Sequence, residues 1–199
     1  MSLPHALITA LVEQPSSGSD LAGRFDRSIG YFWHATHQQI YRELGRLEEA
    51  GWVEPLPAES GRGRKRVYRV LPAGRAELQR WVAEQQDPKP LRDEFMVRLR
   101  AEAVVGPTAL ATDIRRRLAL HQQKLAVYQA IAARDFANVD DGSRKQQLQH
   151  LVLEAGIVQE TQWIAFSQKA LVILEQAQNL PEAPPPPKSP PPPLLIPPA

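Results

Sequence analysis

Apolar residues recur along the first half of the chain with helical spacing, and each run is bounded by its own stop signal. Leu3, Ala6, Leu7, Ala10 and Leu11 stand at i, i+3, i+4, i+7 and i+8, which predicts one buried face of a helix ending near Glu13. Pro15-Ser16-Ser17-Gly18 breaks it. Ser19 is placed to cap a short second helix through about Asp26, with Leu21, Ala22 and Phe25 inward. The third helix has the clearest ends. Thr36 and Gln39 have the spacing of a capping box, and Gly51 follows Ala50 as the left-handed residue that ends the helix. Between them Ile40, Leu44 and Leu47 repeat at i, i+4 and i+7. At ~100° per residue, Gln38, Arg42 and Arg46 point to the opposite side.

The pattern then changes period. Trp52–Leu56 and Arg66–Val70 read as two β segments, the second alternating apolar and basic positions. The segment 58–65 between them carries two glycines. A fourth helix is expected from Pro72, past Leu78 and Trp81. Asp87-Pro88-Lys89-Pro90 is a stiff linker, and residues 91–180 read as helical throughout. One long helix is expected from Pro107 to about Arg134 and another from about Arg144 to Ala177. On the latter Leu148, Leu151, Val152, Ala155, Val158, Ala165 and Val172 form an apolar seam. Helices of that length need a surface to pack against. Residues 181–199 hold eleven of the nineteen prolines and are expected to be polyproline II or disordered. The expected organisation is thus 1–86, 91–180 and a Pro-rich tail, 181–199.

Net charge is only +2 over 199 residues, but its placement matters. Residues 1–86 hold 11 basic and 10 acidic side chains, whereas 61–69 contain Arg62, Arg64, Lys65, Arg66 and Arg69 and no acid. With no cysteine, a disulfide framework and a thiolate metal site are excluded. No apolar stretch approaches the ~20 residues of a membrane span, and the N-terminus has no basic region of the signal-peptide kind. The histidines lack metal-ligand spacing, and no phosphate loop, nucleophile elbow or acid–base pair is present. Neither cofactor nor metal is expected, and an enzyme is disfavoured. The triplet Arg115-Arg116-Arg117 spreads around a helix axis and reads as solvated.

Three helices followed by a two-stranded ribbon with a basic tip is the order of a winged helix-turn-helix, so the fold expected is mainly α. A helix in the major groove needs an apolar rib on its scaffold side and long hydrogen-bonding side chains on the other. Thr36–Ala50 meets both conditions. The expected DNA-facing residues are Thr36, His37, Gln38, Gln39, Tyr41, Arg42 and Arg46 on this helix. Arg62, Arg64, Lys65 and Arg66 on the wing would follow phosphates or enter the minor groove.

The stretch HATHQQIYRELGRLEEAGWVEP, followed by RKRVYRVLPAGRAEL, resembles the PadR family of bacterial regulators. Tyr41, Leu44, Arg46, Leu47, Glu48 and Gly51 match that family's Tyr-x-x-Leu-x-Arg-Leu-Glu-x-x-Gly core. Arg64, Lys65, Tyr68, Pro72 and Gly74 match its strand and the helix start that follows, and Trp33 stands where the family has an aromatic residue. Leu71 replaces a capping Thr, and His37-Gln38-Gln39 replace residues of Pro-Gly-Thr type. The segment from Leu91 to Leu99 is similar to the one that opens the family's second domain. The resemblance implies a helical dimerisation domain after the winged helix and a cytoplasmic homodimer. It further implies binding to a two-fold double-stranded DNA operator and control by an effector. Repressor is the leading expectation, and related regulators include activators. Trp81, Phe95, Tyr128, Trp163 and Phe166 are candidates to line a pocket for a planar aromatic compound, with plain core packing as their other role. A winged-helix protein-interaction module that binds no DNA is the rival, and five cations in nine residues without an acid argue against it.

Overall fold

The computed structural model describes residues 3–26, 35–57, 66–88, 90, 92–137 and 142–178. Trp33, Arg62, Arg64, Lys65, Lys89 and the tail lie outside the described residues. The chain forms two compact units that divide between Pro90 and Leu91. Seven helices and one small antiparallel sheet are present among the described residues.

The first unit comprises α1 (Leu3–Glu13), β1 (Ser16–Ser17), α2 (Gly18–Asp26), α3 (His37–Glu49), β2 (Val53–Pro55), β3 (Val67–Val70) and α4 (Pro72–Ala83). Its core is one cluster of Leu7, Ile8, Leu11, Leu21, Phe25, Ile40, Leu44, Leu47 and Val53, so α1, α2 and α3 share a single interior. The ribbon is three-stranded, in the order β1-β3-β2, rather than two-stranded. Ser16 pairs with Tyr68 and Ser17 with Val67. Both β2 and β3 are shorter than their sequence pattern. The cap of α2 is Ser17, not Ser19: its Oγ accepts from the Asp20 N–H at 3.2 Å. Gly51 has φ 68°, the left-handed stop expected after α3. Gly74 is required for a different reason. A Cβ there would lie 2.4 Å from the Trp52 carbonyl oxygen, against backbone that cannot yield.

His5 ties α1 to α4. Its ring is stacked on Trp81 with centroids 4.4 Å apart, and it is hydrogen-bonded through Nε2 to Glu77 at 3.1 Å. Arg80 donates to both oxygens of the same carboxylate. The Arg80 hydrogen bond first, and His5 after it, holds the Glu77 carboxyl down from 4.5 to about 2. A depressed carboxylate adds stability above its unfolded pKa and loses it as pH falls through the folded one. Acid denaturation between about pH 4.5 and 2 should therefore be shallower in Glu77→Gln than in the wild type. Parallel urea titrations at stepped pH measure this, and coincident pH profiles would show that the Glu77 pair adds nothing.

The second unit comprises α5 (Glu94–Val105), α6 (Leu110–Asp135) and α7 (Arg144–Gln178). Asp93 caps α5 by accepting the Phe95 N–H at 2.8 Å. The second helix of this unit starts at Leu110, not Pro107. Gly106 has φ 87°, and Thr108, held by Glu102, turns the chain before α6 begins. Contacts between α6 and α7 run in opposite senses along the two helices. Arg115 meets Glu175, His121 meets Glu160, Tyr128 packs on Gly156 and Phe136 lies against His150. The pair is therefore antiparallel. Phe95, Leu110, Ile114 and Ala170 form the buried cluster at one end, with Met96, Leu99, Trp163, Leu171 and Leu174 against it.

Helix α7 carries two stripes. The one facing α6 includes Leu153, Gly156, Ile157, Glu160, Ser167 and Ala170. Glu160 is only 3% exposed and receives Lys124 at 2.9 Å as well as His121. Burial raises its pKa, but the Lys124 and His121 hydrogen bonds outweigh that and leave the carboxyl lowered. The apolar seam legible in the sequence is the other stripe: Leu148, Leu151, Val152, Ala155, Val158, Ala165 and Val172 are all exposed on the single chain. In the Arg115–Arg117 triplet, Arg115 and Arg116 are exposed and Arg117 is half-buried, and all three also form ion pairs. Arg115 pairs with Glu175, while Arg116 and Arg117 pair with Asp113.

Candidate nucleic-acid interface

The site is built on α3. Thr36 is extended, its Oγ1 accepts the Gln39 N–H at 3.2 Å, and Gln39 Oε1 accepts the Thr36 N–H at 2.9 Å. This fixes where the helix starts and so which residues form its first turn. Ile40, Leu44 and Leu47 are buried, which fixes its rotation. His37, Gln38, Gln39, Arg42 and Arg46 are then exposed, and Tyr41 is half exposed. The positive end of the helix dipole also lies at this first turn, a favourable setting for phosphate. Thr36→Ala should cost about 0.5–2 kcal/mol of stability through the lost cap. Any DNA-binding loss should be equal on specific and random sequence, as thermal melts and paired binding titrations would show. A selective loss on one sequence would instead make Thr36 a base reader.

Tyr41 is positioned by a neighbour that sequence reasoning did not link to it. A Cβ on Gly18 would lie 2.4 Å from Tyr41 Cε1, so the missing side chain lets the phenol ring lie against the start of α2. The cations on this surface are unequal. Arg46 pairs with Glu43 of its own helix at 3.3 Å. Arg66, at the base of the wing, donates to Glu48 of α3, and its guanidinium lies 5.5 Å from the centroid of the Tyr68 ring. Arg69 is held by Glu54, its direct cross-strand partner. Arg42 is exposed one turn after Gln38. Arg62, Arg64 and Lys65 lie outside the described residues.

The aromatic candidates divide between the two units, Trp81 in the first and the other four in the second. Phe95, Trp163 and Phe166 come together, with centroids 5.8–6.3 Å apart, and Arg117 lies 4.6 Å from the centroid of the Phe95 ring. His121 is stacked on Trp163. Tyr128 is buried against Gly156, and Trp81 belongs to the first unit, where His5 covers its ring.

Comparison with known proteins fits this division. The model of the transcriptional regulator PadR-like family matches residues 7–80, and that of the virulence activator alpha C-terminal family matches residues 91–175. A "Probable transcriptional regulator" of Mycobacterium tuberculosis is 40% identical over 189 residues, which cover 88% of this chain and 99% of that protein. The chain belongs to the PadR family of transcriptional regulators. This PadR-family protein is thus a regulator and not an enzyme. Its fold is shared with the Vibrio cholerae virulence activator AphA, at TM-score 0.76 and 31% identity over 88% of this chain and 99% of that one. Bacillus subtilis PadR has been solved with operator DNA (TM-score 0.74) and with p-coumaric acid (TM-score 0.71). Both matches are 24% identical, cover 87% and 88% of this chain and 99% of the other, and show a common fold. No described helix of the PadR-family chain is long and apolar enough to cross a membrane.

Proposed function

We propose that this PadR-family regulator acts in the cytoplasm as a homodimeric, effector-responsive repressor on a two-fold DNA operator. The observation that carries the reading is the division of α3 into a buried rib of Ile40, Leu44 and Leu47 and an outer face that presents Gln38 and Arg42. Gln matches adenine and Arg matches guanine bidentately in the major groove. Thr36, His37, Gln39, Tyr41 and Arg46 border that face, and the sequence adds Arg62, Arg64, Lys65 and Arg66 as cations available to phosphate. That Bacillus subtilis PadR has been solved with operator DNA supports DNA as the partner. The exposed seam on α7 supports a dimer, because Leu151, Val152, Val158 and Val172 are each at least half exposed on a single chain. A two-fold axis through that surface pairs the seam with itself, and each protomer then brings one α3 to a two-fold operator.

The effector reading rests on Phe95, Trp163 and Phe166 with Arg117 beside them, a combination suited to a planar aromatic acid. The p-coumaric acid complex of Bacillus subtilis PadR supports that class of ligand. A second reading, transcriptional activation, is favoured by the virulence-activator match over residues 91–175. Repression and activation share the same DNA interface.

Sequencing the DNA bound by the protein in cells identifies the operator. On that site Gln38→Ala and Arg42→Ala should each cost about 1–3 kcal/mol, and far less on random DNA. Equal losses on both DNAs would mean that these side chains only seat the helix. No enrichment of any DNA would leave the interaction-module reading in its place.

A further inference from the structure

We propose that Glu48 and Arg66 form a clasp that sets the angle of the wing to the recognition helix, with Arg66 a positioning residue rather than a phosphate contact. This deepens the DNA-binding reading and rests on it. Glu48 lies ~80° around α3 from Ile40, on the Tyr41 flank and away from the Gln38–Arg42 face. It receives Arg66, which stands immediately before β3. The last described rung between β2 and β3 is the Leu56 N–H to the Val67 carbonyl at 2.7 Å. Arg66 is therefore the first described residue on the wing side of that rung.

A two-stranded ribbon twists and bends unless something beyond its own ladder holds it. Here β1 reaches β3 only at Val67 and Tyr68. The Glu48 carboxylate supplies a further hold, from the helix whose groove position the wing must match. The Tyr68 ring beside the guanidinium limits where the arginine can swing. Held on Glu48, the Arg66 charge is already partly compensated, which weakens its pull on a phosphate.

The sign of one substitution separates the clasp from simple charge counting. Glu48→Gln removes a negative charge from a DNA-binding surface, and charge counting alone raises affinity. The clasp predicts a fall. Exposed ion pairs shift an equilibrium by up to about fivefold, so operator affinity should drop about two- to fivefold in Glu48→Gln and in Arg66→Gln. The double variant should fall no further than either single one, and the reversed pair Glu48→Arg/Arg66→Glu should recover most of the loss. The slope of log K against log salt should be unchanged in Arg66→Gln, whereas a lost phosphate contact lowers it by about 0.9.

A second measurement needs no DNA. The chain has no cysteine, so a fluorophore on Gly63→Cys reports the wing alone. Its fast depolarisation should grow in both single variants and return in the reversed pair. The clasp is overturned by a gain in affinity in Glu48→Gln, by a lower salt slope in Arg66→Gln, or by a label that moves alike in all variants. Failure of the wild type to bind any DNA overturns the DNA-binding reading instead, and the depolarisation then decides the clasp on its own.

Discussion

Leu151→Glu/Val158→Glu, made in the full chain, is expected to be a folded monomer that binds a two-fold operator about 10²–10⁴-fold more weakly than the wild type. The two side chains are 58% and 59% exposed on the single chain, so glutamate there removes little from the α6–α7 interior. The cost falls on the surface between protomers. That surface would lose apolar contact at ~25 cal/mol per Å² and would face each glutamate with like charge across the axis. The DNA loss is larger than any single contact could cause, because the second half-site is normally engaged at the high effective concentration set by the first. Light scattering reads the mass, and a melt on the same sample reads the fold. A double variant that stays dimeric places the interface elsewhere. A wild type that is monomeric at micromolar concentration removes the two-fold reading.

Neutralising the wing tip is expected to have the next largest effect. Arg62, Arg64 and Lys65 are cations with no acid among residues 61–69. If each neutralises one phosphate, Arg62→Ala/Arg64→Ala/Lys65→Ala lowers the salt slope by about 0.9 per contact, or about 2.7 for each wing. Affinity at physiological salt should then fall by roughly 10²-fold for each wing engaged, on operator and random DNA alike, since phosphate contacts carry no sequence information. The contrast with Gln38→Ala and Arg42→Ala is the diagnostic: those variants lose discrimination and keep most of the slope. A triple variant with the wild-type slope would show that the wing does not touch DNA, and the cations would then serve solubility alone.

The exposed outer side of α3 was legible because every signal for it is local. The capping box spans four residues, the rib of Ile40, Leu44 and Leu47 spans eight, and Gly51 marks the stop. Within that reach, helical period and backbone sterics decide the outcome whatever the rest of the chain does. The aromatic candidates were not legible as a group. Whether an aromatic ring is core or pocket depends on partners far away in the chain, and Trp81 found His5 in its own unit while Phe95 found Trp163 and Phe166.

Local pattern alone set where α1 and α3 begin and end, which face of α3 is outward, and that α7 has an apolar seam. Tertiary structure decided the rest. A two-residue strand has no period to read, and β1 exists only because Val67 and Tyr68 offer an open edge about fifty residues later. Period reveals that α7 has stripes but not which one meets α6. The buried stripe carries Glu160, whose carboxylate is paired with Lys124 and hydrogen-bonded to His121, partners 36 and 39 residues away. Arg66 read as one more wing cation until the fold brought Glu48 within reach. Local rules act over a turn or two of backbone, whereas the strength of a charge is set by whatever the fold places beside it.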